Sequence, residues 1–496
     1  PPEAAPNQQG AACTPLPLHI TAWCTPASIA CGTSPLLPGV NMSTQRAPIA
    51  PTSSSATLRK VTLAAIAGTV IEWFDFAIYG FMAPIIAVTF FPEGNRVIGL
   101  LQTFAIFAVA FALRPFGGAF FGMMGDRVGR KRVLALTVML MSAATAVIGL
   151  LPSYHAIGIW APVLLTLARC MQGFSAGGEY AGAVTYVIEH APDHQRSRYS
   201  SWMPAATFAS FAFAALLSYF LTANLSREAM HGWGWRIPFL VAAPLGLVAI
   251  YIRRRLDESP LFQQILDGPP MVHAPLSQTL KQQWRPMLRL GSYTSLTALS
   301  FYIFSTYMTT FLRAVIHLPS DQVLMTNVIA LTFAAVMAPI IGRICDRVGR
   351  RATMIASAML LGGLSIPAYL LASDGTIGNA LVAQLLLAAG AVTANVVTAV
   401  LLCEVFPTAV RYTASAVTYN VSYAIFGGTA PFVATYLIAI TDNRLAPAIY
   451  ISIVAVGAFV AALLTPETAN STLNSDLIPR TDCLSPITGI GRAAQS

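Results

Sequence analysis

Between Val61 and Leu464 the apolar residues recur in blocks of about 18 to 25, each long enough to cross a bilayer core of about 30 Å as a helix. The blocks predict twelve spans, over 61–87, 97–121, 133–151, 160–188, 200–224, 236–252, 288–312, 323–343, 352–371, 379–403, 412–438 and 447–464, with boundaries good to a few residues. A helical membrane bundle uses about 20 residues per span, so one body absorbs most of the 496 residues and leaves little for a separate catalytic domain. The expected fold class is an all-α, multi-pass membrane protein.

Composition agrees. Only 10% of residues are charged and 55% are hydrophobic, against roughly 25% charged in an ordinary soluble domain, which excludes a soluble enzyme. The net charge of +9, from 29 Lys+Arg and 20 Asp+Glu, would suit a nucleic-acid partner if the basic residues were clustered on a polar domain, but they fall at membrane edges. With both termini placed on the cytoplasmic side, only Arg96, Arg227, Arg236, Arg313 and Arg444 fall on the opposite side, so charge specifies the orientation and makes lipid, rather than nucleic acid, the expected surface partner. The seven cysteines have no metal-ligand spacing and suggest no disulfide framework, and no G-x-x-x-x-G-K-[ST] motif offers a nucleotide site. No metal or cofactor is expected.

The chain divides, by this reading, into a tail (1–60), a six-helix unit (61–252), a central loop (253–287), a second six-helix unit (288–464) and a C-terminal tail (465–496). Residues 1–60 are rich in Pro, Ala, Ser and Thr and read as disordered. Met42 opens an ordinary cytoplasmic lead-in, which leaves open whether residues 1–41 belong to the mature protein. Two motifs recur across the central loop. Gly122-MMG-Asp126-Arg127-V-Gly129-Arg130-Lys131 after the second span matches Gly342-RIC-Asp346-Arg347-V-Gly349-Arg350-Arg351 after the eighth. Glu189-x-x-Pro192-x-x-x-Arg196 after the fourth matches Glu404-x-x-Pro407-x-x-x-Arg411 after the tenth. Six-helix units that repeat in parallel are a common plan of secondary transporters, with the solute held between them near the midplane.

The repeated G-x-x-x-D-R-x-G-R-[KR] loop resembles the signature of the major facilitator superfamily, which implies two pseudo-symmetric six-helix bundles. EWFDFAIYGF in the first span, RPFGGAFFGMMGDRVGRK, QGFSAGGEYAGA, GWGWRIPF and PETAN resemble its metabolite:proton symporter branch. From about residue 60 to 470 the chain is most similar to the proline/glycine-betaine proton symporters, and that resemblance implies proton-driven uptake of a compact zwitterion by alternating access. One departure stands out: Ser471–Ser496 has few charges, and Pro479, Pro486, Gly489 and Gly491 would break the charged C-terminal heptads of the best-known members.

Five ionisable residues lie inside spans: Glu72, Asp75, Arg114, Arg169 and Glu179. Each would cost roughly 2.5 to 3.5 kcal/mol if charged at a helix centre, so they are the proton-coupling candidates, lining a wet cavity. Arg169, Gln172, Ala176 and Glu179 follow at steps of three, four and three and form one polar stripe on a continuous fourth helix. Glu72, Phe76 and Tyr79 share a side of the first span, where the two rings could nest a quaternary ammonium while Arg169, or second Arg114, takes a carboxylate. Gln172 on the stripe, together with Tyr302, Asn395 and Tyr419 from the second unit, completes the substrate-binding candidates. Asp126, Arg127, Gly129 and Arg130, with Asp346, Arg347, Gly349 and Arg350, form a conformational latch: the aspartate meets a helix N-terminus and arginines, and Gly129 turns Arg130 and Lys131 toward headgroups. Glu189 and Glu404 are expected to cap or pair locally with Arg196 and Arg411. Gly173-Phe-Ser175-Ala-Gly177 satisfies G-x-S-x-G, but inside a span it reads as small residues for close helix approach, not as a nucleophile elbow.

The sequence thus points to a proton symporter of a zwitterionic osmolyte such as proline or glycine betaine, not to an enzyme, with the plasma (inner) membrane as its expected location. A proton symporter of an organic acid (citrate, 2-oxoglutarate, shikimate or an aromatic carboxylate) is the alternative, and a non-transporting receptor or membrane enzyme a remote one.

Overall fold

The computed structural model describes residues 55–92, 96–128, 130–254, 276–407 and 410–469; the expectations for 1–54, most of the central loop and 470–496 lie outside them. Each of the twelve predicted spans falls on a helix or a run of helices: Ser55–Phe90, Arg96–Val128, Arg130–Leu150, Trp160–Ala176 with Glu179–His190, Trp202–Asn224, Arg236–Arg254, Leu276–Tyr302 with Met308–Ala314, Ser320–Val348, Arg350–Ser373, Ile377–Glu404, Arg411–Ser422 with Ala430–Thr441, and Ala446–Leu464.

Length and hydropathy alone identify eight of these as able to cross a membrane, and the third and sixth contain shorter apolar helices, Leu136–Leu150 and Arg236–Val248. The two remaining spans depart for physical reasons. The fourth is interrupted at Gly177–Gly178, so neither piece spans alone. The seventh is rich in Ser, Thr and Tyr, yet every residue from Tyr293 to Leu312 is buried. Protein surrounds it on all sides, and it has no need of a greasy face. Its helix already begins at Leu276, inside the stretch expected to be loop.

The polarity of the helices is inverted relative to a soluble bundle. On the fourth span Leu164, Leu167 and Met171 are exposed while Arg169 and Gln172 are buried. Phe116 and Phe120 on the second span and Ile453, Val456 and Val460 on the twelfth are likewise exposed. Such a belt of large apolar side chains is costly in water and neutral in lipid.

Packing follows the repeat. The third span lies along the sixth and the second along the fourth; in the second unit the ninth lies along the twelfth and the eighth along the tenth. Between the units, the fifth span packs on the eighth and the second on the eleventh. These two cross-contacts exchange with one another under the internal pseudo-symmetry, so the first and seventh spans are left facing the central axis.

Candidate functional site

The centre of the molecule is built on the first span, where Glu72, Asp75, Phe76 and Tyr79 are all buried. Glu72 Oε1 accepts a hydrogen bond from Arg114 Nη2 at 2.8 Å, a fully buried ion pair between the first and second spans. Arg114 also reaches the carbonyl of Ala176, at 3.4 Å. Its guanidinium carbon lies 5.7 Å from the Trp73 ring centroid and 5.2 Å from those of Phe76 and Phe111. Its Nε and Nη1 are buried donors without a partner.

A second cluster surrounds Arg169. Its Nη1 donates to Gln172 Oε1 at 2.7 Å, and Gln172 Nε2 donates in turn to Thr145 Oγ1 on the third span. The guanidinium lies 4.1 Å from the Tyr79 ring, 5.3 Å from Phe76 and 5.2 Å from Phe107. Tyr79 is fixed beneath it by a bond from its hydroxyl to the Thr103 carbonyl at 3.0 Å. Asp75 lies within reach of Thr145 and within electrostatic reach of Arg169, with both carboxylate oxygens buried. This placement revises one expectation: the rings of Phe76 and Tyr79 hold arginines here, so a cationic ligand would meet like charge on them.

Along the expected polar stripe of the fourth span, the turn residues Gly177 and Gly178, both still in the right-handed helical region, separate Trp160–Ala176 from the helix that Glu179 opens, and Glu179 is buried like Arg169 and Gln172. The glycines are required by helix contact. A Cβ on Gly173 would lie 1.8 Å from the Ala110 carbonyl oxygen, and one on Gly177 2.0 Å from that of Arg114. Gly117 across the interface is equally hemmed in by Phe174. The second and fourth spans therefore touch backbone to backbone, the small-residue reading of G-x-S-x-G, and Ser175 is buried with its hydroxyl on the Gln172 carbonyl. The Gly177 carbonyl accepts from Asn420 Nδ2 of the eleventh span at 2.6 Å, so the other unit completes the turn.

The second unit brings aromatic groups to the same place. Tyr302 sits against Phe107 and Phe111, with centroids 5.4 and 5.3 Å away. Tyr419 stacks on Tyr180 at 4.9 Å, and Tyr423 donates to Asn395 Oδ1 at 3.4 Å. Tyr302, Tyr419 and Asn395 thus join the central cluster. Trp73, Phe107, Phe111, Phe301 and Tyr180 belong to it too and were not singled out from sequence. Trp73 follows Glu72 directly and lies within a helical step of Phe76, a signal hidden by the near-complete burial of the first span on every side.

At the end of the bundle carrying the signature loops, the second copy is described in detail. Asp346 accepts from the backbone N–H groups of Ser197 (3.0 Å) and Arg198 (2.9 Å) in the first unit and pairs with Arg350 at 3.1 Å. Gly349 has φ of +101°, a conformation that L side chains resist, and it separates the eighth span from the ninth. Arg350 then turns inward rather than to lipid, donating Nη2 and Nε to Glu404 at 3.0 and 3.1 Å. Arg347 lies on the last turn of the eighth span. The short motifs pair across the units, Arg196 with Glu404 and Arg411 with Glu189, each at 3.5 Å, and Arg196 also pairs with Asp193 three residues before it. PETAN adds a further tie, since Glu467 accepts from the N–H groups of Arg350 and Arg351 at 2.9 and 3.0 Å and Thr468 donates to Glu404 at 2.7 Å. In the first copy, Gly129 and the side chains of Asp126, Arg127 and Arg130 lie outside the described residues.

Comparison with known proteins agrees with this architecture. The sequence profile described as Major Facilitator Superfamily matches residues 65–428 and 290–481. A proline/betaine transporter of Salmonella typhimurium is 36% identical over 428 residues, covering 84% of this chain and 85% of that protein. An ectoine/proline transporter of Corynebacterium glutamicum is 35% identical over 433 residues, with the same coverage of 84% and 85%. Among solved structures, the proton:xylose symporter XylE bound to 6-bromo-6-deoxy-D-glucose superposes with a TM-score of 0.68 at 17% identity, over 84% of this chain and 98% of that one. A repeated signature loop, an inverted polarity and a charged centre between two six-helix units thus have a common explanation: the chain belongs to the major facilitator superfamily, a family of multi-pass membrane transporters rather than enzymes.

Proposed function

We propose that the protein is a proton-driven symporter that imports a compact zwitterion, proline or glycine betaine, across the plasma (inner) membrane, with both termini cytoplasmic and basic loops against lipid headgroups. The observation that carries the reading is Asp75, a carboxyl group fully buried between helices with Thr145 and Arg169 beside it. Ionisable groups at membrane depth are retained where they load and release protons or ligands. Asp75 with Arg169 forms the proton-handling pair, and Glu72 with Arg114 couples it to the solute; Glu179, at the Gly177–Gly178 turn, is a secondary proton candidate. Gln172 positions Arg169, and Tyr302, Tyr419 and Asn395 close the solute site from the second unit. A proton moved down 100 mV supplies about 2.3 kcal/mol, enough to concentrate a neutral zwitterion about fiftyfold. The curated relatives named as proline/betaine transporters support the solute.

The loops at Asp126–Arg130 and Asp346–Arg350 act as the latch that holds the cytoplasmic end shut. Opening inward requires the bonds from Asp346 to Ser197 and Arg198 to part. Two buried arginines with unpartnered donors would also suit an organic dianion, so citrate is tested beside the zwitterions. The test is uptake of labelled glycine betaine, proline and citrate into vesicles, with and without an imposed pH gradient. Gradient-dependent betaine or proline uptake that an uncoupler abolishes is expected. Betaine uptake indifferent to the uncoupler overturns proton coupling, and uptake of citrate alone moves the solute to the organic acids.

A further inference from the structure

We propose that Thr145 of the third span is a positioning residue for proton handling: its hydroxyl joins Asp75 to the Gln172–Arg169 pair and changes partner as Asp75 gains or loses its proton. The inference rests on the proton-coupling reading of Asp75 above and deepens it. The third span packs on both the first and the fourth, and Thr145 is fully buried there. Arg169 Nη1 donates to Gln172 Oε1 at 2.7 Å, which leaves the Gln172 amide nitrogen to donate to Thr145 Oγ1. The Thr145 hydroxyl gives its own proton to the Met141 carbonyl, at 3.0 Å. Asp75 lies within reach of the same hydroxyl.

A hydroxyl has one proton and two lone pairs. With Gln172 on one lone pair and the proton on Met141, the second lone pair can accept from Asp75, so the bonds present here are those that suit a protonated carboxyl. Ionised Asp75 has nothing to donate and is a stronger acceptor than a carbonyl, so Thr145 turns its proton from Met141 to the carboxylate while still accepting from Gln172. Polarisation along the chain then strengthens the bonds toward Arg169. Arg169 is the charge that acts on Asp75. Glu72 on the same helix is engaged by Arg114 of the second span, Glu179 follows the Gly177–Gly178 turn, and Tyr302 of the seventh span lies toward Arg169. The third, fifth and sixth spans carry no acidic or basic side chain within 133–150, 202–224 and 237–252.

The fold itself does not require this link. Carried across the repeat by the offsets of its two motifs, Gly122 to Gly342 and Glu189 to Glu404, Thr145 falls on Ser365, Arg169 on Gln384 and Gln172 on Leu387. Ser365 bonds to Ser452 and to the Ala448 carbonyl, so the second unit packs its corresponding helices with this hydroxyl turned to the twelfth span.

The test is difference infrared spectroscopy of the purified full-length protein in lipid, following as pH rises the carboxylic C=O band that Asp75→Asn removes. In Thr145→Val the pH at which that band is half lost is expected to rise by about one unit, because the ionised carboxylate loses a donor worth about tenfold in its equilibrium. Thr145→Ser keeps the hydroxyl and should keep the wild-type midpoint. A merely structural role would show in melting temperature instead, with Thr145→Ser, which loses a methyl group, the less stable, and would leave both midpoints in place. An unmoved midpoint in Thr145→Val, or a wild-type band that does not titrate, overturns the proposal. If Thr145→Val does not fold, Thr145→Ala decides on the same criterion. The expected midpoints, found together with vesicle uptake indifferent to an uncoupler, support the role of Thr145 and overturn symport. Uncoupler-sensitive uptake with an unmoved midpoint in Thr145→Val does the reverse.

Discussion

Arg196 Nη1 lies 3.5 Å from Glu404 Oε1, although 208 positions separate the two residues, and its repeat counterpart Arg411 makes the same contact with Glu189. Each arginine reaches the glutamate of the other motif. Such reciprocal contacts arise where two copies of a motif face one another across the axis that relates them, so both pairs bridge the units and both must break when that end opens. Glu404 is shared further, by Arg350 and Thr468, and so ties three segments at one carboxylate.

Removing the shared carboxylate should loosen this end. Taking one partner from a buried pair costs about 3 to 5 kcal/mol when the other charge stays buried. Glu404→Gln is expected to shift the protein toward the inward-open form and to cut uptake by tenfold or more. Cysteine-labelling accessibility near Ser197, read beside surface expression, checks this; unchanged labelling with normal expression would contradict it.

Asp75→Asn keeps the shape of the side chain and removes its ability to carry a proton. Accumulation against a gradient should fall to background while exchange of labelled for unlabelled solute survives. A counterflow assay separates the two, and loss of both activities in a folded variant would place Asp75 in solute binding instead.

Gly173→Ala and Gly177→Ala force a methyl group into backbone oxygens on the second span. Overpacking of this kind typically costs 1 to 3 kcal/mol, and here the obstacle is main chain that cannot rotate away. Both variants should melt at lower temperature in detergent than wild type, whereas Gly363→Ala, which meets nothing within 4 Å, should not.

The PETAN tie has a pH dependence whose sign follows from its bonds. Burial pushes the Glu467 carboxyl up, but N–H donors from Ala469, Arg350 and Arg351, with the charge of Arg350, outweigh it and leave the group below its ordinary 4.5. A depressed carboxylate contributes its tie above the unfolded value and loses it as pH falls through the folded one. Docking of Pro466–Ala469 should be unchanged from neutral pH down to about 4.5 and be released only below it. Hydrogen exchange at Arg350 and Arg351 reports the release, and Glu467→Gln should show it at neutral pH.

Much of the site was legible in the sequence because charge in oil is conspicuous. Glu72, Asp75, Arg114 and Arg169 declare themselves by the cost of burying them, whatever their partners. Trp73 does not, since an aromatic ring in a span is equally at home against lipid, protein or ligand. Asn420 is hidden for another reason: its partner is the carbonyl of a turn that the 3.6-residue pattern across Gln172 and Glu179 passes straight over. Glu467 carries only a family likeness in the sequence, because its partners, the N–H groups that open the ninth span, lie more than a hundred residues before it.

The sequence by itself determined that the chain crosses the membrane many times, that its two units repeat, and which few charges had to be accommodated inside. Those properties are local, set by the length of each apolar block and the free energy of each charged group in hydrocarbon. Only the tertiary structure decided that Arg169 stacks on Tyr79, that Arg114 faces Glu72 and Trp73, and that Glu189 and Glu404 each meet an arginine of the other unit. A charge in a bundle takes the partner that helix packing brings within about 4 Å, and helices whose residues are some two hundred positions apart meet by packing, not by sequence.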